Sequence, residues 1–301
     1  MKIFKQSKNQ LSLLPQNKFK LEKDLQKLFE ENLSVLTQYQ FIKSEFTIKN
    51  NRIDTLAFDP ESRAFIIIEY KRRQNESVID QGISYLNLML EYKADFIVEY
   101  NESQKNTLKR DEVDWSQSKV IFVSPSFNEF QIQASNFKDL PIELWEVNRF
   151  EQDIIVVNVI NKSKSAPSIR QIRTTDDQKL EKALKEIKVY SEDEHLQNGS
   201  DKIKELYETL KEAILKLDPS LIIEAKKVYL AFKKDRNVVD ILIQNKQIKM
   251  WINLPKGKLD DPKKLASDVS EKGHWGNGDY ELIIQDDKHL EYIMSLVKQA
   301  I

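Results

Sequence analysis

The chain has 301 residues, of which 32% are charged and 40% hydrophobic, and a formal net charge of −1; it is long enough for two domains and ordinary for a soluble protein. The absence of cysteine excludes a disulfide framework, a thiolate nucleophile and a zinc ribbon. No apolar run approaches the roughly 18 residues of a membrane-spanning helix, and the polar start lacks a signal core, so we expect a cytoplasmic protein with no membrane partner. The charge near zero also disfavours a dedicated duplex-coating protein, which is usually strongly basic.

The first predicted elements are an amphipathic helix over 21–33 and a strand pair formed by 52–54 and 66–71. The apolar run 64–68 is typical of a central strand that is covered on both faces, and 59–62 supplies turn chemistry. Side chains on a strand alternate between faces, so Glu69 and Lys71 share one face. The pattern therefore brings two charges to the sheet edge beside Asp54.

Two carboxylates that lie close together repel each other unless a cation lies between them. Oxygen ligands of this kind suit Mg²⁺ or Mn²⁺, and Lys71 would neutralise charge on a phosphate under attack. An ordinary cross-strand ion pair is the alternative. The Glu-x-Lys pattern recurs at Glu91, Glu186 and Glu224, in three stretches that we predict to be helical and solvated.

The rest of the first half alternates predicted strands with helices, which indicates a mixed α/β sheet covered by helices. A composition rich in Lys, Ser and Pro then predicts a linker over 161–199 that contains a short helix. The predicted elements of the first half after residue 90 are strands over 94–100, 119–123, 142–147 and 153–159, and a helix that ends at Asn136.

The last third, 200–301, is predicted to be a small α+β domain. Ser200 is placed to cap a helix that Asp218 and Pro219 end. The predicted elements that follow are strands over 227–232, 237–243, 247–253 and 280–284, and helices over 262–269 and 289–301.

One loop in this last third is rich in glycine: three of the six glycines lie within 273–280. His274, Trp275 and Asn277 would form a binding loop for a base or a small ligand if the tryptophan is exposed, because an exposed ring can stack on a base. The loop is a rigid turn if Trp275 packs inward, and we favour this second interpretation. We assign no catalysis to His274.

Several motifs in the first half resemble one nuclease superfamily. Asp54, fourteen residues and then Glu69-Tyr70-Lys71 resemble the signature of the PD-(D/E)XK superfamily, which has the restriction-endonuclease-like fold. Residues 51–54 resemble the Gly-Arg-hydrophobic-Asp segment of NucS-like endonucleases, with Ile53 where the superfamily name has proline. Gln81 and Tyr85 resemble their Gln-x-x-x-Tyr motif. Taken together, the matched motifs cover about 19–99.

The resemblance implies a role for each matched residue. Asp54 and Glu69 would hold Mg²⁺ or Mn²⁺, Glu22 would bind it directly or through water, and Lys71 would orient the attacking water. Gln81 would position the site. Glu22 as a helix-surface acid, Gln81 as a polar residue of a helix start and Tyr85 as a packing residue stay open as alternatives. The candidates for contact with the substrate are Arg52, Arg72, Arg73 and Tyr85.

These implications predict a metal-dependent endonuclease that hydrolyses DNA, with a nuclease domain over 1–160 and a last domain, 200–301, that contributes target binding or assembly. The last domain resembles a small uncharacterised domain often fused to such nucleases, in a family sometimes labelled predicted transport proteins. The alternative is a catalytically silent scaffold that binds nucleic acid and retains the fold. The resemblance also favours a homodimer, because this fold usually needs two active sites to cut both strands.

Overall fold

The computed structural model describes residues 2–72, 77–163, 165–169, 178–234, 236–273 and 276–301. The chain divides into two compact units, Met1–Val189 and Tyr190–Ile301. Arg73, His274 and Trp275, three of the predicted site residues, lie outside the described residues. In the part of the chain that is described, no helix has both the length and the apolar composition that crossing a bilayer requires.

The first unit contains a seven-stranded mixed sheet in the order β3-β8-β7-β6-β5-β4, with β9 paired to β8. The three strands β4, β5 and β6 run antiparallel, and β6, β7 and β8 run parallel. Two further strands form a separate antiparallel pair. The bounds are β1 (Ile3–Ser7), β2 (Gln10–Leu14), β3 (Gln16–Asn17), β4 (Gln40–Ile48), β5 (Asn51–Asp59), β6 (Ala64–Tyr70), β7 (Lys119–Ser124), β8 (Ile142–Phe150) and β9 (Ile155–Val159).

Helices cover both faces of this sheet. Every residue of β6 is buried, and alternate residues join two different apolar clusters: Phe65 lies in the cluster with Leu86, and Ile66 in the cluster with Phe29. The mixed sheet flanked by helices confirms the predicted fold class. The helices of the first unit are α1 (Glu22–Glu31), α2 (Leu33–Thr37), α3 (Val78–Glu91), α4 (Lys93–Gln104), α5 (Glu129–Ser135) and α6 (Gln178–Glu186).

One prediction for the first half was wrong, and one strand was not predicted. The stretch 94–100, predicted as a strand, is part of α4. Phe96, Ile97 and Tyr100 are its buried residues. Residues one and four positions apart lie on one face of a helix, so the same apolar residues fit a helix as well as a strand. The strand β4 was not predicted, because its burial is irregular along its length.

The predicted linker 161–199 is divided between the two units. Ala183, Leu184 and Ile187 are buried in the same apolar cluster as α3, so α6 belongs to the first unit. The apolar stripe that predicted this helix is therefore the surface by which it packs on its own unit.

The second unit contains a six-stranded antiparallel sheet in the order β10-β11-β12-β13-β15-β14. Apolar residues of α8 and α9, such as Tyr207 and Ile293, form one cluster with Ile241 and Met250 of the sheet. The α+β prediction is confirmed. The bounds are α7 (Glu192–Leu196), α8 (Asp201–Leu217), β10 (Ile222–Ala225), β11 (Leu230–Lys233), β12 (Asn237–Gln244), β13 (Gln247–Ile252), β14 (Ser267–Asp268), β15 (Tyr280–Ile284) and α9 (Leu290–Val297).

Two local predictions for the second unit were wrong. No helix forms over 262–269, among residues that are all described. The Asp261 carboxylate accepts the Ala266 N–H at 2.7 Å and the Tyr292 hydroxyl at 2.5 Å, and Lys264 has a φ of +53°, so the segment is held in a turn. Glu224, predicted to be helical, lies on β10.

Candidate functional site

The site forms where the β5–β6 ladder ends. Thr55 and Ile68 are the last paired residues of the two antiparallel strands. Asp54 on β5 and Glu69 on β6 come directly after this last pair, and the charge of Asp54 raises the pKa of Glu69, so the two side chains lie near each other. The two carboxyl groups thus lie at the point where the ladder stops.

The Asp54 side chain accepts a hydrogen bond from β6 at the point where the backbone hydrogen bonds between β5 and β6 stop. Its Oδ2 accepts the backbone N–H of Tyr70 at 3.1 Å, where the ladder would have offered a carbonyl of β5. The Gln26 amide on α1 donates to the Asp54 carbonyl at 2.8 Å. Burial raises the pKa of Asp54, although the Tyr70 N–H and the charge of Lys71 oppose that shift.

Glu69 is 5% exposed, and its two oxygens differ. Its Oε1 lies 3.3 Å from Lys71 Nζ and accepts from the Gln81 amide at 3.0 Å. Its Oε2 is buried and has no hydrogen-bond partner among the described residues. Burial first, and the nearby Asp54 second, raise the pKa of Glu69 to about 7. A buried acceptor without a partner is costly, so this oxygen is suited to a cation.

The helix α3 supplies the two residues of the predicted Gln-x-x-x-Tyr motif. The Gln81 amide also donates to the Tyr85 hydroxyl at 3.0 Å, and that hydroxyl donates to the Arg52 carbonyl at 3.1 Å. Tyr85 is 7% exposed. The structure thus brings Gln81 to the carboxylates and favours the packing interpretation of Tyr85.

Glu22, the first residue of α1, approaches from the other face of the sheet. Its Oε1 accepts the backbone N–H of Arg72 at 2.9 Å, and the Arg72 guanidinium donates to the Lys20 carbonyl. Within the described ranges, no group of three His, Cys, Asp or Glu side chains is placed to hold a metal ion. A direct bond from Glu22 to a metal shared with Asp54 and Glu69 therefore has no support from this geometry, and the water-mediated role and the helix-surface alternative both stay predictions.

The predicted substrate contact Arg52 is paired within the protein. Its Nε lies 2.9 Å from Glu45, which also lies 2.8 Å from Lys23. Hydrogen bonding to Lys23 lowers the pKa of Glu45. Glu45 has a φ of +54° and was not singled out in the sequence.

A stripe along α1 was also missed. Gln26 is 4% exposed, and Glu30 accepts from the Gln26 amide at 2.9 Å and from the Thr55 hydroxyl at 2.5 Å. Glu22, Gln26 and Glu30 are four residues apart and so share one helix face. That spacing was the signal that could have identified Gln26 as the residue that holds the Asp54 backbone.

In the second unit, the described part of the predicted binding loop is tightly held. The Asn277 N–H donates to the buried Asp240 carboxylate at 2.7 Å, and its side-chain amide donates to the Tyr229 hydroxyl at 3.0 Å. A Cβ added at Gly276 would lie 2.5 Å from the Trp251 ring, and one at Gly278 would lie 2.0 Å from the Ile252 carbonyl. These contacts favour a rigid turn at 276–278.

Comparison with known proteins gives matches of three kinds. A family model described as a domain of unknown function (DUF5655) matches residues 192–301. A Haemophilus influenzae protein described as uncharacterized is 68% identical over 301 residues, which cover 100% of this chain and 99% of that protein.

The matching solved structures are nucleases of low similarity. An EndoMS–dsDNA2 complex matches with a TM-score of 0.29 and 19% identity, over 43% of this chain and 47% of that chain. A repair endonuclease from Pyrococcus abyssi matches with a TM-score of 0.24 and 18% identity, over 40% of this chain and 45% of that chain. This chain thus spans less than half the length of either, and likenesses this low do not bear on its function.

Proposed function

The chain belongs to the same protein family as the uncharacterized Haemophilus influenzae protein, and we propose that it is a metal-dependent endonuclease that hydrolyses phosphodiester bonds in DNA. The observation that carries the proposal is the pair of carboxylates at the end of the β5–β6 ladder. Asp54 and Glu69 lie just beyond the last pair of the ladder and near enough that Asp54 raises the pKa of Glu69, Lys71 lies beside Glu69, and one Glu69 oxygen has no partner among the described residues. The choice of DNA as substrate comes from the motif resemblance.

The donor set fits Mg²⁺ or Mn²⁺. Mg²⁺ is usually held by one or two carboxylates together with waters and substrate phosphate, rather than by a complete cage of protein ligands. Asp54 and Glu69 would hold the ion, and Glu22 would act through water. The raised pKa values of both carboxyl groups arise from burial, and a cation between them would relieve that cost.

The residues of the site divide the chemistry of hydrolysis. A bound divalent cation supplies Lewis-acid stabilisation of charge on the phosphate. Lys71 orients the attacking water and places a positive charge beside the developing negative charge. The water oxygen forms a bond to phosphorus and the water releases one proton to solvent, while the bond from phosphorus to the leaving oxygen breaks and a solvent proton neutralises that oxygen. Gln81 fixes the Glu69 carboxylate, and Gln26 fixes the backbone of Asp54.

The test is cleavage of labelled single-stranded, duplex, mismatched and branched DNAs with Mg²⁺ or Mn²⁺. We expect the wild type to cut at least one of these DNAs, and we expect Asp54→Asn and Lys71→Met each to slow cutting strongly. Chelation of the metal should abolish cutting. Cutting that survives chelation, or that Asp54→Asn leaves intact, would contradict the proposal.

A catalytically silent scaffold that retains the fold and binds nucleic acid is the second candidate. It predicts binding of the same DNAs without cleavage at any metal concentration. The second unit, Tyr190–Ile301, would then carry the function, and in either case we propose that it contributes target binding or assembly.

A further inference from the structure

The segment 2–20 has an unusual charge composition. It holds the lysines Lys2, Lys5, Lys8, Lys18 and Lys20 and none of the 48 acidic residues of the chain. None of these five lysines forms a salt bridge with a described residue, whereas many other lysines of the chain do. We call this segment the basic arm.

The strands β1 and β2 of the basic arm form a two-stranded sheet of their own. All their residues except Ile3 and Leu14 are exposed to solvent. Phe4 pairs with Leu13 across the hairpin, and Leu11, two residues before Leu13, shares that face. Phe4, Leu11 and Leu13 are 50%, 67% and 54% exposed. A lone hairpin is at best marginally stable in water, so this ribbon is suited to a partner.

The end of the basic arm adjoins the candidate site. Asn17 pairs with Arg149 on β8, and the Lys20 carbonyl accepts from Arg72, whose backbone N–H is bonded to Glu22. Tyr70 pairs with Val123 on β7, and Val123 pairs with Trp145 on β8, so Trp145 lies level with Tyr70. Arg149 lies four residues further along β8, so it is on the order of 13 Å beyond the site along the strand and about 10 Å across the sheet.

Arg149 supplies an independent observation at this junction. Its guanidinium lies over the Phe19 ring at 4.9 Å, and its Nε is buried without a hydrogen-bond partner in the described part of the chain. A guanidinium held in place by stacking is a typical phosphate ligand, and it would bind through its terminal nitrogens because the buried Nε is closed to a phosphate.

We infer that the basic arm and Arg149 bind the phosphate backbone of DNA on one side of the cleaved bond. Charge complementarity favours this partner, since a ribbon with three lysines and no acid matches a polyanion. The exposed apolar side chains of a ribbon can also lie against sugars and bases in a groove. The inference rests on the proposed function for the identity of the substrate.

The test compares two charge-matched variants of the full chain in the Asp54→Asn background, so that DNA is bound and not cut. In the arm variant Lys2, Lys5 and Lys8 become Gln. In the control variant Lys105, Lys109 and Arg110 become Gln. The control residues come just before Glu112, whose carbonyl accepts from Arg63. Arg63 directly precedes β6, so this segment lies at the opposite end of β6 from Lys71.

Fluorescence anisotropy with labelled duplex DNA at several salt concentrations gives Kd and its salt dependence. We expect the arm variant to raise Kd about 10-fold and to reduce the slope of log Kd against log salt by up to about 3. The control variant should bind like the parent. Arg149→Gln should weaken binding further, and Arg149→Lys should restore part of the loss. Thermal melts establish that each variant is folded.

Three results would overturn the inference. If the arm variant binds like its parent while the wild type cuts DNA, the basic arm has no role in binding and the proposed function stands. If Phe4→Ser, Leu11→Ser and Leu13→Ser together change the sedimentation coefficient but leave Kd unchanged, the ribbon is a surface for a second copy. A wild type that neither binds nor cuts any DNA removes the proposed function and this inference together.

Discussion

Each unit carries a Glu-x-Lys pair whose glutamate lies on a strand, and the two pairs have opposite electrostatic surroundings. In the first unit, Glu69 lies near a second carboxylate, Asp54, which raises its pKa, and has one lysine beside it. In the second unit, Glu224 lies 3.0 Å from Lys226 through one oxygen and 3.0 Å from Lys233 through the other. The first arrangement has an excess of negative charge, and the second has an excess of positive charge.

The difference shows that the tripeptide is not the informative unit. The two glutamates are distinguished by what the neighbouring strand presents: Asp54 near Glu69, and Ala231 opposite Glu224. Under the proposed function, a cation would bind at the first site because it would relieve the repulsion between two buried carboxylates. At the second site Lys226 and Lys233 already neutralise the acid. A comparison of matched substitutions at the two sites is therefore a direct test of the metal proposal.

The largest effect is expected from removing a carboxylate charge. Asp54→Asn and Glu69→Gln should each reduce the rate of metal-dependent DNA cleavage on the order of 1,000-fold, the range typical for loss of a catalytic group. Both changes keep the shape of the side chain, and an asparagine oxygen can still accept the Tyr70 N–H. Glu224→Gln is the matched control and should leave the rate within about twofold. A similar loss for all three variants would mean that stability, not chemistry, is measured.

The next largest effect is expected from the two lysines. Lys71→Met should reduce the cleavage rate about 100-fold, because one charge that stabilises the transition state is lost. Lys226→Met removes a lysine that is 7% exposed, and it should lower the free energy of unfolding without changing the rate of the folded fraction. Single-turnover cleavage and urea denaturation of both variants separate the two effects.

The third effect concerns pH, since the folded protein raises the pKa of Glu69 to about 7 from 4.5. Between these values the folded state holds a proton that the unfolded state has released, so the free energy of unfolding falls as the pH rises through this window. In the absence of metal, the loss should reach about 3 kcal/mol. Glu69→Gln should remove the part of this dependence that Glu69 contributes and leave the part that comes from the raised pKa of Asp54, and Glu224→Gln should keep both.

Added Mg²⁺ sharpens the same measurement. It should raise the melting temperature of the wild type more at pH 8 than at pH 5, because a ligand must be deprotonated to bind. The melting temperature of Glu69→Gln should respond little at either pH. An equal response of both proteins at both pH values would place the ion elsewhere.

The sequence was sufficient to predict that Asp54 and Glu69 lie near each other, because period-two alternation and a short turn determine which residues of a hairpin are neighbours across the two strands. It was not sufficient to predict the end of the ladder. Ile53 lies in the apolar cluster with Phe46, yet Thr55, two residues away, lies 3.2 Å from the Tyr70 hydroxyl in the cluster of the opposite face. The alternation of side chains between the two faces of the sheet therefore fails at Asp54. On the neighbouring strand, Glu45 has a left-handed backbone conformation.

The failures elsewhere have a different cause. The stretch 94–100 and the stretch 262–269 have patterns that fit both helix and strand or turn, and tertiary contacts decided between them. Phe96 stacks edge-on against Phe46 and Phe65 at 5.4 Å and 5.7 Å, which a helix at this place allows. Asp261 binds Ala266 and Tyr292, and no local pattern reveals a partner thirty residues away.

The smallest effect is expected from Tyr85, whose hydroxyl links Gln81 to the Arg52 backbone. Tyr85→Phe keeps the buried ring and removes the hydroxyl, so the free energy of unfolding should fall by about 1 kcal/mol. The matched control is Tyr100→Phe, because Tyr100 is also buried and its hydroxyl donates to Gln40 at 3.2 Å. Both variants should lose similar stability, whereas only Tyr85→Phe should slow cleavage, by a few-fold, since Gln81 is then less well fixed against Glu69. If Tyr85→Phe binds DNA more weakly and cuts bound DNA at the wild-type rate, Tyr85 contacts the substrate and the packing interpretation is wrong.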